Sequence, residues 1–314
     1  MEFRNLDQDT SVFFNRELEH IKSRSYDVLY QDLYARDVFP TDNEAGAYTR
    51  HITYRTYDRV GMAKIISSYA KDMPRADIAG RETTSPVRVI GLSFAYNVDE
   101  ILASTQTGRS LEQRRANAVQ RGVEETIDRI AWFGDSPSGL PGFLTNPNIP
   151  TDVVAASGTG ATAPEQRQWV NKTPAQILTD VNSLFTNIVN VTRQKERPNT
   201  LLLPTSQYND IAFRPRADVA TDTTVMQYIV RNSPYIQSEA DIMSIPDLAG
   251  AGTGGVDLMV AYDRNPEKLT MEVPMELQFL APQEVGLEIA VPAWAKTGGV
   301  LVYYPISARF GSGI

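Results

Sequence analysis

The chain has 314 residues, of which 42% are hydrophobic and 22% charged, and its formal net charge is −8. This composition is typical of a globular chain with one large core or two smaller ones. Cysteine is absent, which excludes disulfides and thiolate chemistry, and the acidic balance argues against tight binding of phosphate backbones. A container that only encloses nucleic acid needs no basic excess.

Residues 1–50 are predicted to form an N-terminal arm, in which Pro40 and the polar stretch after it break the helical pattern. The start is no signal peptide, and no apolar run approaches the roughly 18 residues needed to span a bilayer. The arm is predicted to contain a helix that packs either on its own domain or on a neighbouring subunit, and the pattern does not separate the two. Its apolar residues near helical spacing are Phe14, Leu18, Ile21 and Leu29.

Residues 51–86 are predicted to form an excursion from the body. Ile52, Tyr54 and Thr56 alternate with more polar residues, as in a strand. The remainder is polar and has too few large apolar residues for a core. We therefore expect a long hairpin that needs another surface to lie on.

A strand and a long helix are predicted next. From Pro86 the even positions 90–98 are large and apolar, which indicates a strand with one buried face. The helix is predicted over about 111–133, with Ser110 and Gln113 as a capping box and Gly134 as its terminator. Its apolar stripe comprises Val119, Val123, Ile127, Ile130 and Ala131.

A loop over 135–172 and an α/β segment are predicted to follow. Thr173, Pro174 and Gln176 are typical of a helix start, and the basic residues 193–197 are predicted at the end of that helix. Its predicted buried face is Ile177, Val181, Leu184 and Ile188. Further elements are predicted as a strand at 201–203, helices near 205–212 and 223–231, a Gly-rich turn at 250–255, and strands at 258–262, 269–273, 275–280, 284–291 and 299–304.

No residue is predicted to be catalytic, cofactor-binding or metal-binding. The two histidines are His20 and His51, and no metal-spaced pair is present. The glycine runs 158–160 and 252–255 lack the Lys-Ser/Thr of a phosphate loop and are interpreted as flexible surface turns. The helix carboxylates Glu124, Glu125 and Asp128 are interpreted as a solvated or interface face, although a glycosidase pair has no spacing signature and stays open.

Three segments carry a resemblance to a known family. They are residues 121–128 (RGVEETID), 132–135 (WFGD) and 139–146 (GLPGFLTN). With the order of elements, they make the chain similar to the major capsid proteins of tailed bacteriophages, which have the Hong Kong 97-like α+β fold shared with encapsulins. The resemblance covers nearly the whole chain.

The resemblance implies a division of the chain into the parts of that fold. These are an N-arm (1–50), an E-loop hairpin (51–86), a P-domain (87–172 and 257–314) with its spine helix at about 111–133, and an A-domain (173–256). Some relatives cross-link a Lys to an Asn of a neighbour. Lys64 and Lys71 lie in the excursion, but nothing in the sequence indicates a partner residue or a catalytic carboxylate.

The resemblance also implies the function. We expect a subunit made in the host bacterial cytoplasm that assembles with itself into hexamers and pentamers of a virion capsid. That icosahedral shell encloses double-stranded DNA without sequence-specific binding, and its other partners are possible scaffolding, portal and decoration proteins. No cofactor and no membrane are expected. Two alternatives stay open, an encapsulin-like nanocompartment and a carboxylate-dependent hydrolase.

Overall fold

A computed structural model describes residues 31–60, 77–97, 99–100, 112–216 and 223–314, without the side chains of 58–60 and 112–113. Leu33–Ile314 form one compact unit. Several predictions lie outside the described residues, namely those made for the arm helix, for His20, for Lys64 and Lys71, and for the Ser110–Gln113 capping box.

The described chain is a mixture of helices and mostly antiparallel strands. The helices are α1 (Ala35–Val38), α2 (Glu112–Phe133), α3 (Ala163–Arg167), α4 (Pro174–Val191), α5 (Thr205–Phe213) and α6 (Val225–Asn232). The strands are β1 (Thr41–Asp42), β2 (His51–Val60), β3 (Asp77–Pro86), β4 (Arg88–Asn97), β5 (Thr151–Val153), β6 (Thr200–Leu203), β7 (Ile242–Ser244), β8 (Leu258–Tyr262), β9 (Leu269–Glu272), β10 (Met275–Phe279), β11 (Gln283–Val285), β12 (Glu288–Thr297), β13 (Gly299–Val302) and β14 (Ala308–Ser312).

These strands form three sheets and a separate two-stranded ribbon. A five-stranded sheet has the order β5-β14-β8-β6-β7, and a three-stranded sheet has the order β1-β9-β13. In the third sheet β12 is central, with β4 on one side and both β10 and β11 on the other. Strands β2 and β3 pair only with each other among the described strands.

Two hydrophobic clusters form the core. One joins the buried stripe of α2 to β8, β9, β13 and β14, and the other packs α4, α5 and α6 on β6, β7 and β8. The residues predicted for the buried faces of α2 and α4 are all buried. The long amphipathic helix and the second helix are therefore confirmed.

The C-terminal end of α2 has a donor for each of its last four carbonyl groups. A helix end leaves these four carbonyls without partners inside the helix. Here the following loop turns back and supplies three backbone N–H groups and one hydroxyl. The bonds run from Gly134 N to Ile130 O (2.8 Å), from Phe143 N to Ala131 O (2.9 Å), from Leu144 N to Trp132 O (2.9 Å) and from Thr145 Oγ1 to Phe133 O (3.0 Å).

Two glycines make this return of the chain possible. Gly134 ends the helix with a φ of +70°, as predicted, in the left-handed region that favours glycine. A Cβ atom on Gly142 would lie 2.2 Å from Gly134 N, so no side chain fits there. Asp135 and Leu140 close the loop with two backbone hydrogen bonds of 3.0 Å.

The predicted capping box of α4 is confirmed, but its end was predicted wrongly. Gln176 N donates to Thr173 Oγ1 (3.4 Å), and Thr173 N donates to Gln176 Oε1 (2.8 Å). The helix ends at Val191, and Arg193 and Gln194 have φ of 51° and 66°. The basic residues thus lie in and after a left-handed turn instead of forming the last helical turn.

Several strand predictions need correction. The apolar face of β4 is only half-buried, since Leu92 is 43% exposed. The predicted strand 284–291 is a hairpin, β11 to β12, that turns at Gly286 (φ +65°). The predicted strand 299–304 ends at Val302. The strands β1, β7 and β14 were not predicted, and neither were β5 and α3 within the predicted loop 135–172, where the Pro- and Gly-rich composition gives little signal.

We predict that Gly142→Ala lowers the free energy of unfolding by about 3 kcal/mol, because the added methyl group clashes with the backbone of Gly134. Urea unfolding measures the loss. Gly91→Ala is the matched control, since its Cβ would meet the nearest atom at 3.7 Å, an ordinary contact. Equal stability of the two variants would contradict this account of the loop.

Candidate assembly surfaces

The ribbon of β2 and β3 projects from the body and exposes apolar side chains. Ile52, Tyr54 and Thr56 are half-buried, and the residues between them are exposed, so the predicted alternation is confirmed. On the other face Tyr57 is 66% exposed and Ile78 is 65% exposed. An isolated two-stranded ribbon is marginally stable, so such an element gains from a surface to lie on.

The root of the ribbon packs on the body through its inner face. The Tyr54 ring meets the Tyr303 ring edge-on, with centroids 4.9 Å apart. The outer face carries a cross-strand ion pair, Arg55 with Glu82 at 2.6 Å. Both of these side chains are well exposed, so the pair stabilises the ribbon only weakly.

A buried carboxyl group lies beneath this root. Glu272 is 2% exposed and accepts hydrogen bonds from Thr270 Oγ1 (2.7 Å) and the Tyr303 hydroxyl (3.2 Å). Burial raises the pKa of Glu272, the Thr270 hydrogen bond opposes that rise, and the negative charge of Asp42 adds to it. Burial likewise raises the pKa of Tyr303 to about 12.

The segment before the ribbon is fixed to the long helix by charged and polar contacts. Arg36 forms a two-point ion pair with Glu124 (2.8 and 3.0 Å) and another with Glu276 (2.9 and 2.8 Å). Hydrogen bonds that Arg36 donates to Glu276 and Glu124 hold the pKa of Arg36 above its usual range. Ala35 N donates to Asp128 Oδ1 at 2.8 Å, while burial raises the pKa of that carboxyl.

The same segment enters the core through Phe39. Its ring centroid lies 4.9 Å from Trp132 and 5.0 Å from Phe143. The hydroxyl of Tyr262, a fully buried residue, donates to Val38 O at 2.7 Å. Burial holds the pKa of Tyr262 above its usual range, so the hydroxyl keeps its proton and can donate.

The carboxylates weighed as candidates for chemistry make structural contacts in the described part of the chain. Glu124 and Asp128 hold the segment before the ribbon, and Glu125 pairs with Arg121 at 2.9 Å. His51 lies exposed at the start of β2. The sequence offered no signal for the partners of Glu124 and Asp128, because these contacts join residues distant in the chain.

The glycine runs lie in turns, and each contains a closely packed glycine. A Cβ on Gly158 would lie 2.6 Å from the Asn171 carbonyl oxygen, and one on Gly252 would lie 2.8 Å from the Val256 carbonyl oxygen, so neither position has room for a side chain. In the described parts of the chain, no three His, Cys, Asp or Glu side chains are grouped to hold a metal ion. No described helix is long and apolar enough to cross a bilayer.

The family model described as "Major capsid protein" matches residues 61–314. The chain belongs to the major capsid protein family. No curated protein matches the chain. Members of this family are structural proteins, so the chain is a shell protein and not an enzyme, and the hydrolase alternative is not favoured.

Solved capsid structures share the fold. The chain is similar to the capsid of Myoviridae phage XM1 (TM-score 0.79, 16% identity, 95% of this chain and 98% of that one). It is also similar to the capsid of an empty GTA particle, with a TM-score of 0.63 and 12% identity over 98% of this chain and 99% of that one. The structure of Mycobacterium phage Bobi is similar as well, with a TM-score of 0.62 and 14% identity over 96% of this chain and 97% of that one. The predicted Hong Kong 97-like α+β capsid fold is confirmed.

Replacement of the buried acid is expected to change how stability depends on pH. A folded-state pKa above the unfolded value means that Glu272 favours folding below its unfolded pKa, and that this contribution is lost as pH rises through the folded pKa. Relative to Glu272→Gln, the wild-type capsid protein should therefore lose stability as pH rises above the usual range of a glutamate. Urea unfolding across pH measures the difference, with exposed Glu284→Gln as the control. A constant difference would contradict the role of burial.

Removal of one hydroxyl group is expected to loosen the segment before the ribbon. Tyr262→Phe leaves the buried Val38 carbonyl without this donor, at a cost of about 1–2 kcal/mol in the free energy of unfolding. Thermal or urea unfolding measures this. Tyr304→Phe, at an exposed position, should change stability by less than about 0.5 kcal/mol. The prediction fails if the two variants are equally stable.

Proposed function

We propose that this capsid protein forms an icosahedral shell of hexamers and pentamers around phage DNA. Self-assembly into a shell follows from the family, and the geometry of the ribbon supports this finer arrangement. The ribbon exposes Tyr57 and Ile78 on an element that projects from the body. In a closed shell, one repeated contact set between copies would bury these side chains.

The parts of the chain are assigned as the resemblance implies. Residues 1–50 are proposed as the N-arm and 51–86 as the E-loop, both lying across adjacent subunits. Residues 173–256 are proposed as the A-domain around the local axis of each capsomer. The P-domain, 87–172 and 257–314, would form the shell wall, supported by α2 as a strut of about 33 Å at about 1.5 Å per residue.

The proposed partners follow from assembly and charge. The net charge of −8 fits a wall that encloses a polyanion without binding it tightly. Scaffolding, portal and decoration proteins are proposed as further partners, with production in the cytoplasm of the bacterial host. The match to the major capsid protein family favours a virion over an encapsulin-like compartment.

The ribbon can be deleted and the chain rejoined at its base, with the loss of the Tyr54–Tyr303 contact. His51 and Pro86 lie opposite each other, so a two-residue Asn-Gly turn can join the shortened strands. We expect the full chain to form shells, rings or tubes by electron microscopy and size-exclusion chromatography. The chain without residues 52–85 should stay folded but lose these assemblies.

A double variant tests the exposed face alone. Tyr57→Asp with Ile78→Asp keeps the ribbon but puts two charges on its outer face, and should reduce assembly. Val170→Asp with Ile306→Asp places the same charges at exposed apolar positions away from the ribbon and is the matched control. Assembly that survives removal of the ribbon would contradict its proposed role.

A further inference from the structure

One exposed apolar segment lies at the end of the body where the long helix begins. Every residue from 278 to 288 is exposed, and the segment carries the large apolar side chains of Phe279, Leu280, Val285 and Leu287. We call 278–288 the tip. Its strand β11 pairs only with β12 among the described strands, so the tip also has an open strand edge.

The first half of the tip is uncharged. Residues 278–283 are six consecutive exposed residues without a charged side chain. Residues 159–164 are also six consecutive exposed residues without a charge in the described ranges, but they include no large apolar side chain. The tip therefore presents apolar groups on a protruding, uncharged segment, which is unusual for a surface left in water.

A groove of about 530 Å³ lies at the opposite end of the long helix. Its walls are the ribbon root near Tyr54, the returning loop after Phe133, and β13. No residue that lines it is charged, although 22% of the chain is charged. Phe133 is 42% exposed at this site. Depletion of charge and exposed aromatic rings are features of interface cores.

A single copy cannot fill its own groove with its own tip. The tip adjoins the first turns of α2, because β11 and β4 both pair with the start of β12, and Arg115 of α2 pairs with Glu100 just after β4. The groove lies at the last turn of α2, about 33 Å away along the helix axis at about 1.5 Å per residue.

We propose that the tip of one copy inserts into the uncharged groove of a second copy. The inference rests on the proposed self-assembly and names two surfaces that meet in it. The occupant must be uncharged, apolar and protruding, and within the described residues the first half of the tip (278–283) meets these three conditions, while Glu284 and Glu288 lie outside this uncharged run. A contact between two different patches of the same chain is heterologous and can close into a ring.

Engineered cysteines test this contact directly, because the chain has no cysteine of its own. Ser136→Cys in the groove is combined with Ala281→Cys in the tip, and both positions are exposed. Oxidation of assembled particles should give a ladder of disulfide-linked oligomers on a non-reducing gel. The matched control combines Ser136→Cys with Ala161→Cys, which lies in the other exposed uncharged run.

The outcomes separate this inference from the proposed function. We expect at least about tenfold more cross-linked chain for the tip pair than for the control pair, since a disulfide requires Cα atoms within about 7 Å. Normal particles in which the two pairs cross-link equally would overturn the tip–groove contact alone. A parent chain that forms no particles would contradict self-assembly itself. Should Ser136→Cys block assembly, Asn148→Cys on the same groove replaces it.

A charge in the tip gives an independent measurement. Leu280→Glu would place a carboxylate in an uncharged groove, where burial of an unpaired charge is costly. We expect particle yield to fall about tenfold, while Val170→Glu, at a more exposed apolar position, leaves it unchanged. Equal yields from both folded variants would overturn the proposal.

Discussion

The carbonyl end of the long helix is the constraint on which the rest of the body depends. Four backbone oxygens at a largely buried helix end must find donors, and here the chain after Gly134 returns to provide them. The return places Phe143 in the core, where its ring lies 5.7 Å from Tyr262 and 5.6 Å from Phe310. One backbone requirement thus sets the aromatic centre of the fold.

That centre in turn fixes the elements that reach outward. Phe39 packs against Trp132 and Phe143, so the segment leading to the ribbon leaves the body at a defined place. The loop that caps the helix also forms one wall of the uncharged groove beside the ribbon root. The helix end therefore positions core and assembly surfaces together, and a change at Gly142 would disturb both.

The surfaces assigned to assembly differ from the core in whether their side chains find partners within the same chain. Inside the body, buried charges have partners, as in the Lys172–Asp180 pair at 2.6 Å. The ribbon and the tip instead leave Tyr57, Ile78 and Leu287 more than half exposed. Under the proposed assembly, neighbouring copies would supply the contacts that these exposed residues lack within one chain.

The sequence by itself determined the elements whose signals are local. The apolar stripe of α2, the terminator Gly134, the Thr173 capping box and the alternation in β2 depend on residues a few positions apart, and the GLPGF loop indicated the family. Only the tertiary structure decided which groups meet across the chain. The partners of Glu124 and Asp128 lie about 90 residues away, the loop 143–145 caps the helix end from ten or more residues on, and the half-burial of β4 depends on what packs over it. The spacing of residues along a sequence indicates local geometry, but it does not indicate which remote segments come into contact.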